Sequence, residues 1–128
     1  MRSRYSAFFH KDIDYLVKTH HPNYRAANER DSLQRSTQNT QWTNLIVLSA
    51  NKGQRKDKRG TVEFVAAYRE ISAIGGSQGV KQLRERSQFV KESGQWFYTE
   101  GEMRSPYAPK RDQPCWCGSG KRYRQCHG

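Results

Sequence analysis

The segment TVEFVAAYREI (residues 61–71) has the pattern of a β-strand, and the predicted fold is built around it. Val62, Phe64, Ala66 and Tyr68 are apolar and stand two residues apart. Side chains alternate between the two faces of a strand. We therefore expect these four side chains to share one face that is turned toward the protein core.

Further segments predict strands of the same sheet. WTNLIVLSAN (42–51) comes before the strand at 61–71 and is rich in β-branched and apolar residues. VKQLRERSQFV (80–90) and QWFYTEGEM (95–103) come after that strand. The connections are polar or Gly-rich, namely NKGQRKDKRG (51–60), SAIGGSQG (72–79) and KESG (91–94). Short connections join antiparallel strands, so we expect three or four of them in one sheet. We assign to the core the aromatic residues Trp42, Phe64, Trp96 and Phe97.

Helices are predicted before the strands. Apolar residues recur there in steps of three and four, as on one face of a helix: Tyr5, Phe8, Phe9, Ile13, Leu16 and Val17. Asp12 is a suitable N-cap, which predicts a break near Lys11. Pro22 ends the run because proline lacks the amide hydrogen, and NERDSLQRST (28–37) predicts one more short helix. Helices followed by strands indicate an α+β fold with the helices on one side of a curved antiparallel sheet.

All three cysteines lie in CWCGSGKRYRQCHG, residues 115–128. Cys115 and Cys117 form a C-x-C pair, and Cys126 is followed directly by His127. Three thiolates and an imidazole suit a tetrahedral Zn²⁺ site, and iron is accepted by the same ligand types. A disulfide would leave one thiol unpaired, and the usual redox spacing is C-x-x-C rather than C-x-C.

The residues between the two pairs fit a compact metal-binding knuckle. Gly118 and Gly120 can adopt positive φ, so the backbone can curl around a sulfur atom. KRYRQ (121–125) predicts a single helical turn that returns the chain to the first cysteine pair. The GSGK within this segment is not a phosphate loop, because no strand precedes it and Arg122 follows the lysine.

The chain is strongly basic, with 23 Lys and Arg against 12 Asp and Glu and a net charge of +11. This charge favours an anionic partner such as nucleic acid, a ribosome or an acidic protein, although a basic surface alone names none. The sequence has no apolar run near the roughly 20 residues of a membrane helix, and MRSRYSAFFH (1–10) does not resemble a signal peptide. We therefore predict a cytoplasmic monomer whose thiols stay reduced.

Residues 115–128 resemble the SEC-C motif, C-x-C-G-S-G-K-x-Y-x-x-C-H, which is known from the C-terminus of the SecA preprotein translocase ATPase. The resemblance implies that Cys115, Cys117, Cys126 and His127 bind the metal ion. In SecA the motif is associated with docking to the export chaperone SecB. By resemblance, this segment is expected to bind a protein such as an export chaperone, or a ribosome.

The remaining sequence resembles the YchJ family in four segments: MRSRYSAFF (1–9), DIDYLVKTHHP (12–22), VEFVAAY (62–68) and RERSQFVKESGQWFYTEG (84–101). The central domain of that family resembles the nuclear transport factor 2-like fold, a cystatin-like cone. The expected organisation is an α+β domain at 1–103, a Pro-rich basic linker at 104–114 and the zinc-binding motif at 115–128. Members often carry a second SEC-C motif before RSRYSA, and the sequence leaves open whether one precedes Met1.

Three classes of function remain for comparison with the structure. An adaptor would use exposed residues of the motif, predicted as Trp116, Lys121, Arg122 and Arg124. An RNA-binding protein would use the basic loop, predicted as Lys56 and Arg59. An enzyme or small-molecule binder would use groups inside the cone, for which the candidates are Asp14, Tyr68 and Glu70, with His20, His21 and Glu63 as further titratable groups. No spacing among them demands catalysis, so we predict no enzymatic activity.

Overall fold

The computed structural model describes residues 2–71 and 79–128. The predicted turn SAIGGSQG therefore lies outside the described residues, apart from Gly79.

Three helices precede the sheet, as predicted: α1 (Arg2–Phe9), α2 (Ile13–Lys18) and α3 (Glu29–Gln38). The first two are separated at Asp12, whose side chain accepts a hydrogen bond of 3.2 Å from the Tyr15 amide. This bond satisfies one of the free amides at the start of α2, as an N-cap does. The predicted break in the N-terminal helical run is confirmed.

The chain turns sharply after α2. Pro22 was predicted to end the α-helical run, and a 3₁₀ turn at Pro22–Tyr24 begins there. His21 and Tyr98 are joined there by a backbone hydrogen bond of 2.7 Å, and the Tyr98 amide donates a bond of 2.8 Å to the Thr19 carbonyl. These bonds attach the end of the helical region to the sheet.

The sheet contains four antiparallel strands: β1 (Thr40–Lys52), β2 (Arg59–Glu70), β3 (Lys81–Glu92) and β4 (Gln95–Met103). Their spatial order, β1-β2-β3-β4, is also their order in the chain. The predicted strands are thus confirmed, and every strand pairs with its neighbour in sequence.

The helices cover one face of this sheet, which we call the inner face. It carries Phe64, which is buried, and Trp42, whose ring lies 5.9 Å from the ring of Phe8 in α1. Trp42 also contacts Tyr68, at a ring distance of 5.4 Å. Phe64 is buried as predicted, whereas Trp42, Trp96 and Phe97 are half-buried. The α+β fold with helices packed on an antiparallel sheet is confirmed.

The opposite face of the sheet, which we call the outer face, is also apolar over part of its area. Val65 and Ala67 of β2 point there and are almost completely buried, at 1% and 0% exposure. Ile46 of β1 lies opposite Val65 in the strand register. A second layer must therefore cover this part of the outer face.

None of the helices within residues 2–71 and 79–128 has the length and apolarity that crossing a membrane requires.

Candidate metal centre

The segment after β4 runs along the outer face and is fixed to it. The Arg104 amide donates a hydrogen bond of 2.9 Å to the Arg84 carbonyl on β3. The Gln82 side chain then accepts a bond of 2.7 Å from the Tyr107 amide and donates one of 3.0 Å to the Tyr107 carbonyl. Residues 104–114, although rich in proline, are thus held against the sheet by specific contacts.

Residues 115–128, which we call the knuckle, form two tight turns. The first is closed by a hydrogen bond of 2.9 Å from the Cys115 amide to the Lys121 carbonyl. Gly118 and Gly120 both have φ of +83°, a conformation that side chains make unfavourable. The second is a 3₁₀ turn at Tyr123–Gln125. The predicted helical turn and the positive φ of both glycines are confirmed.

These turns bring three sulfur atoms and an imidazole together. All four candidate ligand atoms, from Cys115, Cys117, Cys126 and His127, lie within 4.8 Å of one another. The Cys117 and Cys126 sulfurs are 3.5 Å apart, and the His127 Nδ1 lies 3.1 Å from the Cys115 sulfur and 3.2 Å from that of Cys126. The fourfold cluster expected from the sequence is present in space.

The cluster fits a single tetrahedral ion. Zn–S bonds of about 2.3 Å and a Zn–N bond of about 2.0 Å separate the ligand atoms of a tetrahedral site by roughly 3.5 to 3.8 Å. The separations between the four ligand atoms run from 3.1 Å to at most 4.8 Å. Small side-chain rotations would bring them to the tetrahedral values. The donor set also matches a structural zinc site, in which all four positions are taken by protein atoms.

The turn around Ser119 favours a thiolate at Cys117. Burial raises the pKa of the Cys117 thiol, but interactions with the hydroxyl and backbone amide of Ser119, together with those to Cys126 and Cys115, outweigh it, so the net pKa is lowered. At Cys115 burial is again the largest effect, and the net pKa of that thiol is raised. Since a metal ion binds the thiolate and displaces the thiol proton, Cys117 is the better prepared of the two.

The knuckle is the second layer that covers the outer face. Cys115, Trp116 and Cys117 are all buried and form one apolar cluster with Val65 and Ala67. The partly buried residues around this cluster are Ile46, Leu48, Val80, Tyr107, Tyr123 and Cys126. The metal cluster is therefore part of the hydrophobic core on this side of the sheet.

Trp116 was predicted as an exposed partner-binding residue, and that prediction is wrong. Its side chain is only 7% exposed, and its ring lies 4.5 Å from the ring of His127. The indole fills the space between the candidate metal ligands and strand β2, where apolar area is available.

The basic candidates, in contrast, are accessible. Lys121, Arg122 and Arg124 are exposed on the knuckle. Arg124 has one acidic neighbour, Asp112, at 3.4 Å. Lys56 and Arg59 are exposed at the other end of the outer face, in the loop that joins β1 and β2 and at the start of β2. The two basic groups thus lie on separate elements of the fold.

Two of the three pocket candidates, Asp14 and Glu70, lie elsewhere than expected. Asp14 pairs with Arg30, and the Asp14 side chain is 84% exposed. Glu70 pairs with Lys81 at 3.0 Å and is 49% exposed, because the strand end reaches solvent there. Neither carboxylate faces the interior of the cone, so both assignments are corrected. Tyr68 packs against the Trp42 ring on the inner face.

Sequence reasoning also missed residues that matter for the site. Val65 and Ala67 hold the knuckle, and the signal was that β2 has apolar residues on both faces, as strands covered on both sides do. Of the further titratable candidates, His20 bonds Glu29 through Nδ1, and its Nε2 donates a hydrogen bond of 2.9 Å to the Thr99 carbonyl. His21 lies 2.9 Å from Glu92. Both histidines thus connect the helical region to the sheet. Glu63 pairs with Arg84 at 3.0 Å on the outer face.

Family models match both parts of the chain. The model described as "YchJ, middle NTF2-like domain" matches residues 1–101. The model described as "SEC-C motif" matches residues 113–128. The second range contains every candidate metal ligand.

Curated relatives and solved structures agree with this division. A UPF0225 protein of Pectobacterium carotovorum is 41% identical over 128 residues, which are 100% of this chain and 78% of the relative. A UPF0225 protein of Shewanella sp. strain MR-4 is 44% identical over 131 residues, covering 98% of this chain and 74% of that one.

Two solved structures of SEC-C motif containing proteins are similar to this chain. The solution structure of one from Rhodopseudomonas palustris has a TM-score of 0.69 and 36% identity, and the match covers 82% of this chain and 76% of that one. The crystal structure of one from Psychrobacter arcticus has a TM-score of 0.57 and 27% identity over 99% of this chain and 70% of that one. With the two family models, these matches lead to one conclusion: the chain belongs to the YchJ family and combines a nuclear transport factor 2-like domain with a SEC-C motif.

Proposed function

We propose that this protein is a metal-binding interaction protein in which one Zn²⁺, held by Cys115, Cys117, Cys126 and His127, folds the knuckle onto the outer face of the sheet. The observation that carries the proposal is the approach of all four ligand atoms to within 4.8 Å of one another. Iron is the alternative ion, because the same ligands accept it. The ion would contribute folding free energy, on the order of 10 kcal/mol for structural zinc in isolated fingers.

The partner in this proposal is an acidic protein surface. Lys121, Arg122 and Arg124 are exposed, and among the described residues Asp112 is the acidic group that pairs with one of them, Arg124. Positive charge on a fixed surface raises the association rate with an acidic partner. By the resemblance to SecA, the export chaperone SecB is the first partner to test, and the ribosome is the second. Both would be met in the cytoplasm, by a monomer of this chain.

The metal part of the proposal is tested by elemental analysis. Protein produced without added metal is expected to contain one zinc ion per chain, and the variant Cys126→Ser is expected to lose it. One iron ion per chain in place of zinc would support the alternative ion. A purified wild-type chain with intact thiols and neither metal would contradict the proposal.

The partner part is tested with purified SecB and purified ribosomes. A variant with Lys121→Gln, Arg122→Gln and Arg124→Gln is compared with one that carries Lys11→Gln, Arg35→Gln and Arg69→Gln, which removes the same charge from exposed positions on other elements. We expect affinity to fall about tenfold for the first variant only, as the loss of several charge-assisted contacts implies. Equal losses in both variants, or binding to neither probe, would refute the docking surface.

The second candidate function is RNA binding, and a groove on the outer face favours it. The groove has a volume of about 310 Å³, and Lys52, Arg59 and Arg86 contribute its positive charge. A variant with Arg59→Gln and Arg86→Gln, which both line the groove, should bind ribosomal RNA less tightly and show a shallower dependence of affinity on salt, because each lost phosphate contact reduces the slope. If the affinity of the wild-type chain does not change with salt, phosphate contacts are ruled out.

A further inference from the structure

The guanidinium group of Arg4 is buried without an acidic partner. The residue is 7% exposed, and its Nη1 donates a hydrogen bond of 3.0 Å to the Leu16 carbonyl and another to the Thr19 hydroxyl. The Tyr98 ring also lies close, with its centroid 4.7 Å from the guanidinium carbon. Within residues 2–71 and 79–128, no carboxylate forms an ion pair with it. Arginine is rarely buried unless it is paired with an anion.

The nearest acidic groups are engaged with other residues. Glu29 bonds the imidazole of His20, and Glu85 bonds the Ser87 hydroxyl. Burial lowers the pKa of Arg4, and the charges of Glu29 and Glu85 offset part of that effect. The Arg4 cation is thus stabilised by distant carboxylates and by neutral hydrogen-bond acceptors. No anion contacts it directly among the described residues, so it can still pair with an incoming anion.

Arg4 lines a cavity between the N-terminal helices and the inner face of the sheet. The cavity has a volume of about 610 Å³, within the range of small-molecule sites. Lys18 and Lys52 add positive charge to its lining, and no Asp or Glu is among the described residues that line it. The formal charges among the described lining residues are therefore all positive, while Glu29 and Glu85 act on Arg4 from outside the lining.

The rest of the lining is apolar or uncharged. Val62, Phe89, Trp96 and Tyr98 provide apolar area, while the hydroxyls of Ser3 and Tyr15 provide hydrogen-bonding groups. Cavities that bind small organic molecules combine a mainly apolar wall with a few well-placed polar groups. This lining therefore suits a ligand with one charged end and an aromatic or aliphatic body.

We propose that this inner cavity binds a small organic anion, whose carboxylate or phosphate head faces Arg4 and whose apolar body packs against Phe89, Trp96 and Tyr98. The site is separate from the knuckle, which lies on the opposite face of the sheet. The proposal thus stands or fails independently of metal binding.

A purely structural role for Arg4 is the competing explanation. Its bonds to Leu16 and Thr19 join α1 to the end of α2, and such a joint needs no ligand. The two roles differ in what they predict for a neutral ligand. An anion site discriminates between a charged and an uncharged probe of the same shape, whereas a joint affects both probes equally.

The experiment uses matched probes with the full-length, metal-loaded chain. Naphthalene-2-carboxylate is compared with naphthalene-2-carboxamide, and phenyl phosphate with inorganic phosphate, by following tryptophan fluorescence and amide NMR shifts. We expect the carboxylate to bind at least about tenfold more tightly than the carboxamide, as a charge-assisted contact implies. Phenyl phosphate should bind more tightly than inorganic phosphate, and the relative affinities of the two aryl anions identify the preferred head group.

Variants then locate the site. Arg4→Gln should remove the preference for the carboxylate while leaving carboxamide binding unchanged, and Arg35→Gln, at an exposed position of α3 outside the cavity lining, should change neither. If Arg4→Gln does not fold, the double variant Lys18→Gln with Lys52→Gln replaces it and should reduce the preference severalfold. The proposal is overturned if neither aryl anion binds at millimolar concentration, if the carboxamide binds as tightly as the carboxylate, or if the NMR shifts map to the knuckle.

Discussion

Asn44 and Trp116 are 72 residues apart in the chain, yet the Asn44 side-chain amide donates a hydrogen bond of 3.1 Å to the Trp116 carbonyl. This bond joins strand β1 to the knuckle. Because Trp116 is buried, its carbonyl loses contact with water in the folded protein, and the bond from Asn44 replaces that contact. The contact therefore couples the stability of the knuckle to that of the sheet.

We predict that Asn44→Ala lowers the free energy of unfolding of the metal-loaded protein by about 1 to 3 kcal/mol, the usual penalty for a buried carbonyl left without its partner. Urea denaturation measures this difference. Asn51→Ala is the control, since Asn51 lies on the same strand but is exposed. Equal stabilities of the two variants would show that the bond contributes nothing.

The two glycines of the knuckle provide a matched pair. Both have φ of +83°, so an alanine at either position is strained by roughly 1 kcal/mol. A Cβ atom on Gly118 would also lie 3.1 Å from the Asn44 Cβ, whereas one on Gly120 would meet nothing within 4 Å. We expect Gly118→Ala to destabilise the protein more than Gly120→Ala in urea denaturation. The reverse order would mean that the knuckle can shift away from β1 at little cost.

Removal of the metal should change the reactivity of the cysteines. Cys115 and Cys117 are buried in the outer-face cluster, and a metal ion would also occupy their sulfurs. We predict slow alkylation in the loaded protein and rapid modification of all three thiols after chelation, which mass spectrometry can follow. Addition of Zn²⁺ before the alkylating agent should restore protection. Rapid alkylation of the loaded protein would contradict the integration of the knuckle into the core.

Tyr98 gives the protein a specific sensitivity to alkaline pH. Burial, followed by the charge of Glu85, raises the pKa of Tyr98 from its ordinary value near 10 to about 12. The folded chain therefore keeps this proton between those pH values, while the unfolded chain loses it. The contribution of the protonated Tyr98 hydroxyl to the free energy of unfolding is complete below about pH 10 and is lost as the pH rises toward 12.

Tyr98→Phe should reduce this alkaline loss of stability, measured as the change in melting temperature between pH 9 and pH 11. Tyr24→Phe is the control, because Tyr24 is 48% exposed. A decline of the same steepness in wild type and Tyr98→Phe would show that other groups dominate the titration.

Local sequence signals predicted most of the elements. Asp12 marked the break between α1 and α2, and the alternation from Val62 to Tyr68 identified the inner face of β2. The spacing from Cys115 to His127 predicted a cluster that the backbone turns do assemble. Each of these signals depends on residues at most about a dozen positions apart, where geometry is set by the local backbone.

The long-range contacts were harder to predict. The burial of Trp116 depends on Val65 and Ala67, about fifty residues earlier in the chain, and an aromatic residue next to a metal ligand looks the same whether it is packed or exposed. Arg4 is a further case, because a lone arginine in a short helix carries no pattern that announces burial. Glu70 has the alternation of an inward residue but stands where the strand reaches solvent.

The order of the strands in the chain has a consequence for synthesis. Each strand pairs with the one made just before it, so the sheet can assemble progressively as the polypeptide emerges. The knuckle is translated after all four strands. Until it docks, Val65, Ala67 and Ile46 form an exposed apolar surface. If one zinc ion folds the knuckle, as we propose, a new chain in a cell starved of zinc would keep that surface uncovered and would be prone to aggregate or to be captured by chaperones.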